Sequence, residues 1–444
     1  MTDIALVVFD TLRYDAFQAQ FDWLPGRRYT SAWAPSHWTV PVHGAMFTGR
    51  YPSEVGVVGQ CPALDCDDRV LAELLSDAGY ETLGFTNNLN LQPWRQYDRG
   101  FDRFTGGWRW QAMQPDVFDW EATLSAADWR RPGKVATTVR ELFESDVDTT
   151  RSLAWLVNRL RRKLGNGPFR DSGLRQARAW IRDAIDETRD QFLFCNLMEA
   201  HWPYDPAIDG VRSGYDDGFS TPIEETIARA SRDRDAWLDA YEAAVGYLSR
   251  EFRPMFERLQ ATFDVIVCCA DHGELFGEHD AWGHGYGLAP ELTHVPLVVW
   301  RRDRSDPTPV DRPVSLLDVF ATITSAADIE TTRRGVDLGH SPLRDRSLLT
   351  EYHGQTSVSQ IEALLAAGID NRTVRAYDEW EYGVVTADGY AYESRDGFVT
   401  PDDTDADFRE RLADARTDLA PPPVEQPCEE TVETTEHLEA LGYL

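Results

Sequence analysis

Short apolar runs alternate with amphipathic stretches along the first three quarters of the chain. The apolar runs predict buried strands at residues 4–9, 81–86, 191–197, 264–269 and 295–300. The amphipathic stretches predict helices at residues 69–78, 175–188, 234–260 and 315–325. This alternation is typical of an α/β fold, in which a central, mostly parallel sheet is flanked by helices.

The pattern changes after about residue 330, which divides the chain into 1–330 and a smaller C-terminal α+β subdomain, 331–444. Residues 106–168 are rich in Trp and Arg and weakly patterned, so we expect a helical insertion there. Two alternating runs flank Ala387-Asp388-Gly389 and predict an antiparallel hairpin. The acidic, Pro-rich segment 401–430 is expected to be a solvated connection.

Charge limits the classes of partner. The 44 basic residues against 75 acidic ones give a net charge of −31, which disfavours nucleic acid and anionic membranes as partners. Only Lys134 and Lys163 are lysines, and an acidic surface with so little Lys predicts a halophilic protein; an ordinary acidic, Arg-rich protein is the alternative. No apolar run approaches the ~20 residues of a membrane span. The first strand begins at once, without a signal peptide, so we expect a cytoplasmic protein.

Acidic residues and a histidine follow two of the predicted strands. Asp10 follows the first strand, and Asp271 and His272 follow strand 264–269. Open α/β sheets place their sites at such strand ends. An isolated Asp there is usually a helix cap. Two carboxylates and an imidazole, however, suit a divalent ion, so we expect one Mn, Mg, Ca or Zn ion.

Thr39 is a candidate nucleophile because it precedes a Pro-directed turn into a helix. A hydroxyl beside a metal ion can lose its proton and attack an ester. The amides at the start of the following helix would help to hold an anion. By itself, a Thr in this place is more often an N-cap.

Several segments together resemble one family. They are Phe9-Asp10-Thr11-Leu12-Arg13-Tyr14-Asp15, Thr39-Val40-Pro41-Val42-His43, Phe47-Thr48-Gly49-Arg50, Ala270-Asp271-His272-Gly273-Glu274, Trp282-Gly283-His284-Gly285 and Leu292-Thr293-His294-Val295-Pro296-Leu297. In this order they resemble the sulfatase-like branch of the alkaline phosphatase superfamily, over most of residues 4–350. The resemblance implies an alkaline-phosphatase-like sandwich and an enzyme that acts on ester bonds.

The chain also departs from the family pattern. Sulfatases have a Cys or Ser that is oxidised to formylglycine, whereas this chain has Thr39, whose oxidation would give a ketone. His43 replaces the usual Arg, Thr11 replaces a second carboxylate, and His284 stands where a Lys is expected. A Thr nucleophile resembles the phosphodiesterase and phosphoglycerol-transferase branches, in which it forms a phospho-enzyme.

The resemblance implies roles for specific residues. The expected metal ligands are Asp10, Thr39, Asp271 and His272. The expected catalytic residues are Thr39, His201 and His284, and the weaker candidates for substrate binding are His43, Asn88 and His294. One metal ion is expected; two would require Glu199, His201 and His284 to converge.

We therefore expect a metal-dependent hydrolase or transferase of phosphate or sulfate esters that acts through a covalent Thr intermediate. The substrate is expected to be a small molecule or a glycan-linked ester. One alternative is a true sulfatase that uses an unmodified hydroxyl. Another is a catalytically silent protein that binds anionic glycans.

Overall fold

The computed structural model describes residues 2–107, 110–111, 116–118, 120, 134–145, 147–153, 156–157, 173–204, 226, 233–304, 308–339, 345–354, 358–366, 368–401 and 407–419. Much of the predicted insertion 106–168 and of segment 401–430 lies outside these residues.

The strands are β1 (Ile4–Phe9), β2 (Arg27–Arg28), β3 (Ala32–Trp33), β4 (Glu81–Thr86), β5 (Arg103–Gly106), β6 (Gln191–Leu197), β7 (Val265–Ala270), β8 (Leu275–Phe276), β9 (Trp282–Gly283), β10 (Leu297–Arg301), β11 (Val314–Ser315), β12 (Leu348–Tyr352), β13 (Glu381–Thr386), β14 (Gly389–Ser394) and β15 (Gly397–Val399). The α-helices are Tyr14–Gln20, Thr39–Thr48, Pro52–Val55, Leu71–Asp77, Lys134–Glu144, Leu174–Ala184, Arg234–Thr262, Pro290–Thr293, Leu317–Ala326, Val358–Ala366, Asn371–Tyr377 and Phe408–Thr417.

The central sheet has seven strands in the order β2-β10-β7-β1-β6-β4-β5. Strand β1 lies between β6 and β7, runs parallel to both and is buried along its whole length. Burial on both faces explains why its sequence is a continuous apolar run rather than an alternating one. Strand β10 is antiparallel to β7, so the sheet is mostly parallel.

The predicted strands correspond closely to those observed. The predicted bounds of β1, β4 and β6 are confirmed, and β7 is displaced by one residue. Strand β10 begins at Leu297, two residues later than predicted, directly after Pro296, which has no N–H to donate to a strand ladder. All four predicted helices are present with shifted ends, the longest being Arg234–Thr262.

The C-terminal strands form an antiparallel sheet in the order β12-β13-β14-β15. The predicted hairpin is confirmed by the pairing of β13 with β14, which ends at Thr386 opposite Gly389. This sheet is tied to the central unit, because the Glu351 amide donates to the Pro35 carbonyl at 2.9 Å. No helix within the described ranges has the length and apolarity needed to span a membrane.

Candidate metal centre

Asp10 and Asp271 emerge side by side from neighbouring parallel strands. In the register of β1 and β7, Phe9 lies opposite Ala270, so the next residue of each strand reaches the same edge of the sheet. Both carboxylates and the neighbouring His272 are completely buried. The topology therefore concentrates two acidic groups and an imidazole at one point in the interior.

Each carboxylate has one oxygen that is held by the protein and one that is not. Asp10 Oδ2 accepts from the side-chain amides of Asn88 at 2.8 Å and Asn196 at 3.2 Å. Asp271 Oδ1 accepts from the amides of Thr11 at 3.2 Å and His272 at 2.9 Å. Within the described part of the chain, Asp10 Oδ1 and Asp271 Oδ2 have no hydrogen-bond partner. Buried carboxylate oxygens in this state call for a cation.

His272 completes the set of ligand atoms. Its Nδ1–H donates to the Gly273 carbonyl at 2.9 Å, which leaves the lone pair of the neutral ring on Nε2. Nε2 lies 3.9 Å from Asp10 Oδ1 and 3.6 Å from Asp271 Oδ2. One ligand atom from each residue lies within 4.8 Å of the others. Two hard oxygens and one imidazole nitrogen fit Mg, Mn, Zn or Ca.

The electrostatics of the cluster agree with a cation site. Burial and the nearby charge of Asp10 raise the pKa of Asp271 well above its ordinary value. Burial and the nearby His284 lower the pKa of His272 well below its ordinary value, which keeps the imidazole neutral and able to act as a ligand.

Thr39 lies beside this cluster. Its Oγ1 is 3.3 Å from His272 Nε2 and accepts from Asn88 Nδ2 at 3.2 Å. The same Asn88 amide group donates to Asp10, so it joins the hydroxyl to the carboxylate. Thr39 does not cap its own helix, which leaves the hydroxyl available to the site.

The helix Thr39–Thr48 is held rigidly beneath the site. All ten of its residues are buried, and Pro41 lies in its first turn, where a missing N–H costs little. Gly44 permits close packing, since a Cβ there would lie 2.8 Å from the Val57 side chain. The helix ends at Gly49, whose φ of 67° favours glycine.

Thr11, directly after Asp10, has a φ of 57°, which is unusual for a β-branched residue. Its hydroxyl donates to the Ala200 carbonyl at 2.7 Å, and its own carbonyl accepts from Tyr241 Oη at 3.0 Å. Together with the amide bond to Asp271, these contacts hold the turn after β1 in a strained conformation. Such strain is common beside functional sites.

His201 and His284 lie next to the cluster. The His284 ring centroid is 4.6 Å from that of His272 and 5.2 Å from that of His201. His284 Nδ1 lies 2.9 Å from Glu274 Oε1. Burial opposes protonation of His284, but Glu274 raises its pKa above the ordinary value. Burial lowers the pKa of His201. The pKa of one imidazole is thus raised and that of its neighbour is lowered, an arrangement that suits proton transfer.

The structure separates the three candidates for substrate binding. Asn88 lies at the centre of the site. His43 is fully buried, and its Nδ1–H donates to the Thr39 carbonyl at 2.9 Å while lying 3.8 Å from Asp271 Oδ2. His294 stands apart from the cluster between the rings of Tyr14 and Trp33, with Nε2–H donating to the Thr30 carbonyl at 2.9 Å.

Two residues of the site were missed by the sequence analysis. Asn196 supports Asp10, and it is the one amide side chain inside the apolar run Phe192-Leu193-Phe194-Cys195-Asn196-Leu197, a signal that could have identified it. His37 is 1% exposed, and burial lowers its pKa well below the ordinary value, with smaller contributions from the nearby His353 and His284. It lies in an irregular segment, where periodicity gives no signal.

The model of a family described as Sulfatase matches residues 18–329. The matched range includes Thr39, Asp271 and His272 but begins after Asp10. In the structure Asp10 nevertheless lies with the matched residues, because its Oδ1 is 3.9 Å from His272 Nε2.

Two curated proteins of Escherichia coli are similar in sequence. "Uncharacterized sulfatase YidJ" is 22% identical over 329 residues, which cover 69% of this chain and 61% of that protein. "Uncharacterized sulfatase YdeN" is 22% identical over 324 residues, covering 68% and 52%. The chain therefore matches about half to three fifths of the length of these relatives.

Two solved structures show the same fold. The phosphonate monoester hydrolase of Silicibacter pomeroyi superposes with a TM-score of 0.60 at 15% identity, covering 98% of both chains. A structure described as a 2-O GAG sulfatase gives a TM-score of 0.59 at 15% identity, covering 94% of this chain and 90% of that one.

Proposed function

The chain belongs to the sulfatase family, and on that premise we propose that it is a metal-dependent hydrolase or transferase of phosphate or sulfate esters, with phosphate favoured and Thr39 as the nucleophile. One observation carries the proposal: Thr39 Oγ1 lies 3.3 Å from His272 Nε2, at the edge of a cluster with two unsatisfied carboxylate oxygens.

The residues of the cluster have separate roles in this proposal. Asp10, Asp271 and His272 would hold one divalent ion, next to which Thr39 Oγ1 lies. When bound, the ion would favour the deprotonated Thr39 hydroxyl and neutralise charge on the transferring group. Asn88 orients Thr39. The backbone N–H groups of Thr39 and Val40, at the start of helix Thr39–Thr48, would face the anionic ester; Pro41 has no N–H, and that of Val42 donates to the Trp38 carbonyl.

The reaction has two steps. Thr39 Oγ1, in its deprotonated form, attacks the phosphorus or sulfur atom and forms a bond to it, while the bond to the alcohol breaks and the leaving oxygen takes a proton from His284 or His201. Water or an acceptor alcohol then attacks the enzyme ester, gives a proton back to the imidazole and releases Thr39 in the same deprotonated form. Glu274 supports the protonated form of His284 that the first step needs.

The test is an assay of four 4-nitrophenyl esters: phosphate monoester, phosphate diester, phosphonate monoester and sulfate. The protein is stripped with a chelator and reloaded with Mn, Mg, Ca or Zn in molar KCl. We expect metal-dependent turnover of a phosphorus ester, loss of turnover in Thr39→Ala and partial retention in Thr39→Ser, which keeps a hydroxyl. A covalent adduct on the peptide that contains Thr39, detected by mass spectrometry, would support the intermediate.

A fully active Thr39→Ala protein would refute the role of Thr39. Turnover of the sulfate ester alone, still lost in Thr39→Ala, would instead favour a sulfatase that acts through an unmodified hydroxyl. Retained metal binding without turnover of any ester would favour the silent, anion-binding alternative.

A further inference from the structure

A recess lies at the edge of the central sheet, at the end opposite the metal centre. Its volume is about 1150 Å³, and it is formed by the segment before and within β2, by the end of β10 and by residues 338–339. Arg301, the last residue of β10, lies opposite Val265, the first residue of β7. The metal centre follows Ala270, the last residue of β7, so roughly 17 Å of strand separates the two sites.

Positive charge is concentrated in this recess. Five of its lining residues are arginines and one is a carboxylate, Asp22, although the whole chain has 75 acidic residues against 44 basic ones. Two of the arginines support the fold: Arg28 donates to two backbone carbonyls of the preceding segment, and Arg302 donates to Asp264 Oδ1 at 2.8 Å. The other three are Arg27, Arg301 and Arg304. A cleft of one charge sign concentrates ions of the opposite sign, so the recess attracts anions.

These three arginines lie on one face of the sheet. Arg27 of β2 pairs with Val299 of β10, which places the two side chains on the same face. Arg301 is two residues after Val299 in the same strand and therefore shares that face. Arg304 returns to it through a tight turn: its N–H donates to the Arg301 carbonyl at 3.3 Å, and its Nη1 donates to the Gly339 carbonyl at 2.5 Å.

Arg301 has a donor that the protein does not satisfy. Its Nε is buried without a hydrogen-bond partner among the described residues, and it lies 3.6 Å from Asp303 Oδ1, which is too far for a hydrogen bond. The absence of a side chain at Gly339 leaves room beside the guanidinium, since a Cβ there would lie 3.0 Å from Arg301 Nη1. A buried, charged donor in this state calls for an acceptor that the protein binds.

The nearby carboxylates leave this positive charge in place. Asp303 lies 4.0 Å from Arg304 Nε as well as 3.6 Å from Arg301 Nε, but its side chain is 68% exposed, so water weakens both attractions. Asp337, beside Gly339, already accepts from the Gly339 amide and from Ser325 Oγ, both at 2.7 Å.

An apolar surface adjoins the arginines. The chain passes closely around the edge of β10 at Gly26, where a Cβ would lie 2.9 Å from a backbone carbonyl oxygen of that strand. Beyond this point the recess is lined by the indoles of Trp23 and Trp300, both of which are partly exposed. Trp23 Nε1 donates to Ser249 Oγ at 2.8 Å, and the Trp300 ring packs against that of Phe256 with centroids 6.4 Å apart. These contacts hold both indoles in place.

We propose that this recess binds a nucleoside polyphosphate. Arg27, Arg301 and Arg304 hold the phosphate groups, because guanidinium groups donate in pairs to phosphate oxygens. The base lies against the indoles of Trp23 and Trp300, which supply flat apolar surface. The volume exceeds what a single inorganic anion fills and suits a ligand with both a charged and an apolar part. This ligand is distinct from the ester on which the metal centre acts, since the two sites lie at opposite ends of the sheet.

The experiment measures binding to the full chain in the presence of a chelator. The chelator leaves the metal centre with carboxylates that repel phosphate, and it keeps divalent ions off the nucleotide. The protein is titrated calorimetrically with ATP, AMP and tripolyphosphate in molar KCl, where screening within ~3 Å leaves direct contacts to decide the affinity. We expect ATP to bind about tenfold more tightly than AMP. Arg301→Gln and Arg304→Gln should each weaken ATP binding by about tenfold.

Arg182→Gln is the matched control. It also removes one positive charge, but Arg182 is exposed on helix Leu174–Ala184 and pairs with Asp183 at 2.8 Å, so the affinity for ATP should stay unchanged. Absence of ATP binding to protein that circular dichroism shows to be folded would overturn the inference, as would equal affinities of the parent and both arginine variants of the recess. Tripolyphosphate that binds as tightly as ATP would overturn the placement of a nucleoside against the indoles. No turnover is measured, so these outcomes are independent of the role of Thr39.

Discussion

Asp271 and Asp318 are both completely buried carboxylates, yet the protein supplies a positively charged partner for Asp318 and none for Asp271 among the described residues. Asp318, at the start of helix Leu317–Ala326, accepts from two backbone amides and is paired by both Nη atoms of Arg346. Asp271 also accepts from two backbone amides, but its second oxygen has no hydrogen-bond partner in the described structure, and the nearest charge is that of Asp10.

The difference separates a carboxylate whose charge the protein itself compensates from one at a candidate metal site. Around Asp318 the protein supplies its own cation, so the charge is compensated as soon as the chain folds. Around Asp271 the protein supplies a second carboxylate and a neutral imidazole. The negative charge there has to be neutralised by a cation that the protein binds. Burial of a carboxylate alone therefore does not indicate a cation site. Burial of a carboxylate that has no counter-ion within the protein does.

Asp271→Asn should give the largest functional effect. We expect turnover to fall roughly 10³-fold or more, because the metal contributes several kcal/mol of transition-state stabilisation. The metal-free variant should nevertheless be more stable than the metal-free parent by about 1–2 kcal/mol, since a buried like-charge pair is relieved. Metal titration and denaturant unfolding of both apo proteins check this, and a destabilised apo variant would contradict the comparison.

Asp318→Asn should behave in the opposite way. Breaking its pair with Arg346 leaves a partly buried guanidinium uncompensated, and we expect a loss of about 3 kcal/mol in the free energy of unfolding. The metal affinity of the protein that remains folded should match that of the parent. A metal affinity that falls together with stability would mean that the two regions are not independent.

Asn88→Ala and Asn196→Ala sharpen the comparison within the site itself. Asn88 donates to both Asp10 and Thr39, whereas Asn196 donates to Asp10. At saturating metal we expect Asn88→Ala to lower kcat by about 10²-fold, as removal of a donor to a reacting oxygen does. Asn196→Ala should instead raise the metal concentration needed for half-maximal rate by about tenfold, with little change in kcat. Equal effects of the two changes on kcat would refute the separate roles.

Glu381→Gln should give the smallest effect, and one that depends on pH. Burial raises the pKa of Glu381 to about 7, above its ordinary 4.5. The folded state therefore holds the proton more tightly than the unfolded state, and stability falls as pH rises from about 4.5 to about 7. The variant should gain about 1–2 kcal/mol above pH 7 and nothing at pH 4. Urea unfolding at the two pH values measures it, and an equal gain at both would contradict the assignment.

The sequence predicted those parts of the fold that depend on local pattern. Strands β1, β4 and β6 are continuous apolar runs, and their bounds follow directly from that pattern. Asp10 and Asp271 were found because their strands end next to them, and parallel strand ends share one edge of a sheet. Asn88 was found in the same way, after β4.

The remainder of the site arises from contacts that no local pattern encodes. His37 lies in an irregular segment, and its surroundings include the end of β12 because β12 pairs with residues 35–36 over a separation of 315 positions. The sequence does not predict the left-handed turn at Thr11 either, because a β-branched residue rarely adopts a positive φ. The pairing of distant segments, rather than composition, decides these features.

The bond between Glu351 and Pro35 also has a consequence for how the protein acquires its shape. Non-local pairings slow folding, because a long loop has to close before the contact forms. The ribosome has to synthesise the chain beyond Glu351 before this bond can form, so the segment that leads to Thr39 is made long before its partner in β12. In the mature protein the amide of Glu351 is therefore a sensitive reporter in hydrogen exchange: its protection should vanish whenever the two sheets separate, even while β1 stays protected.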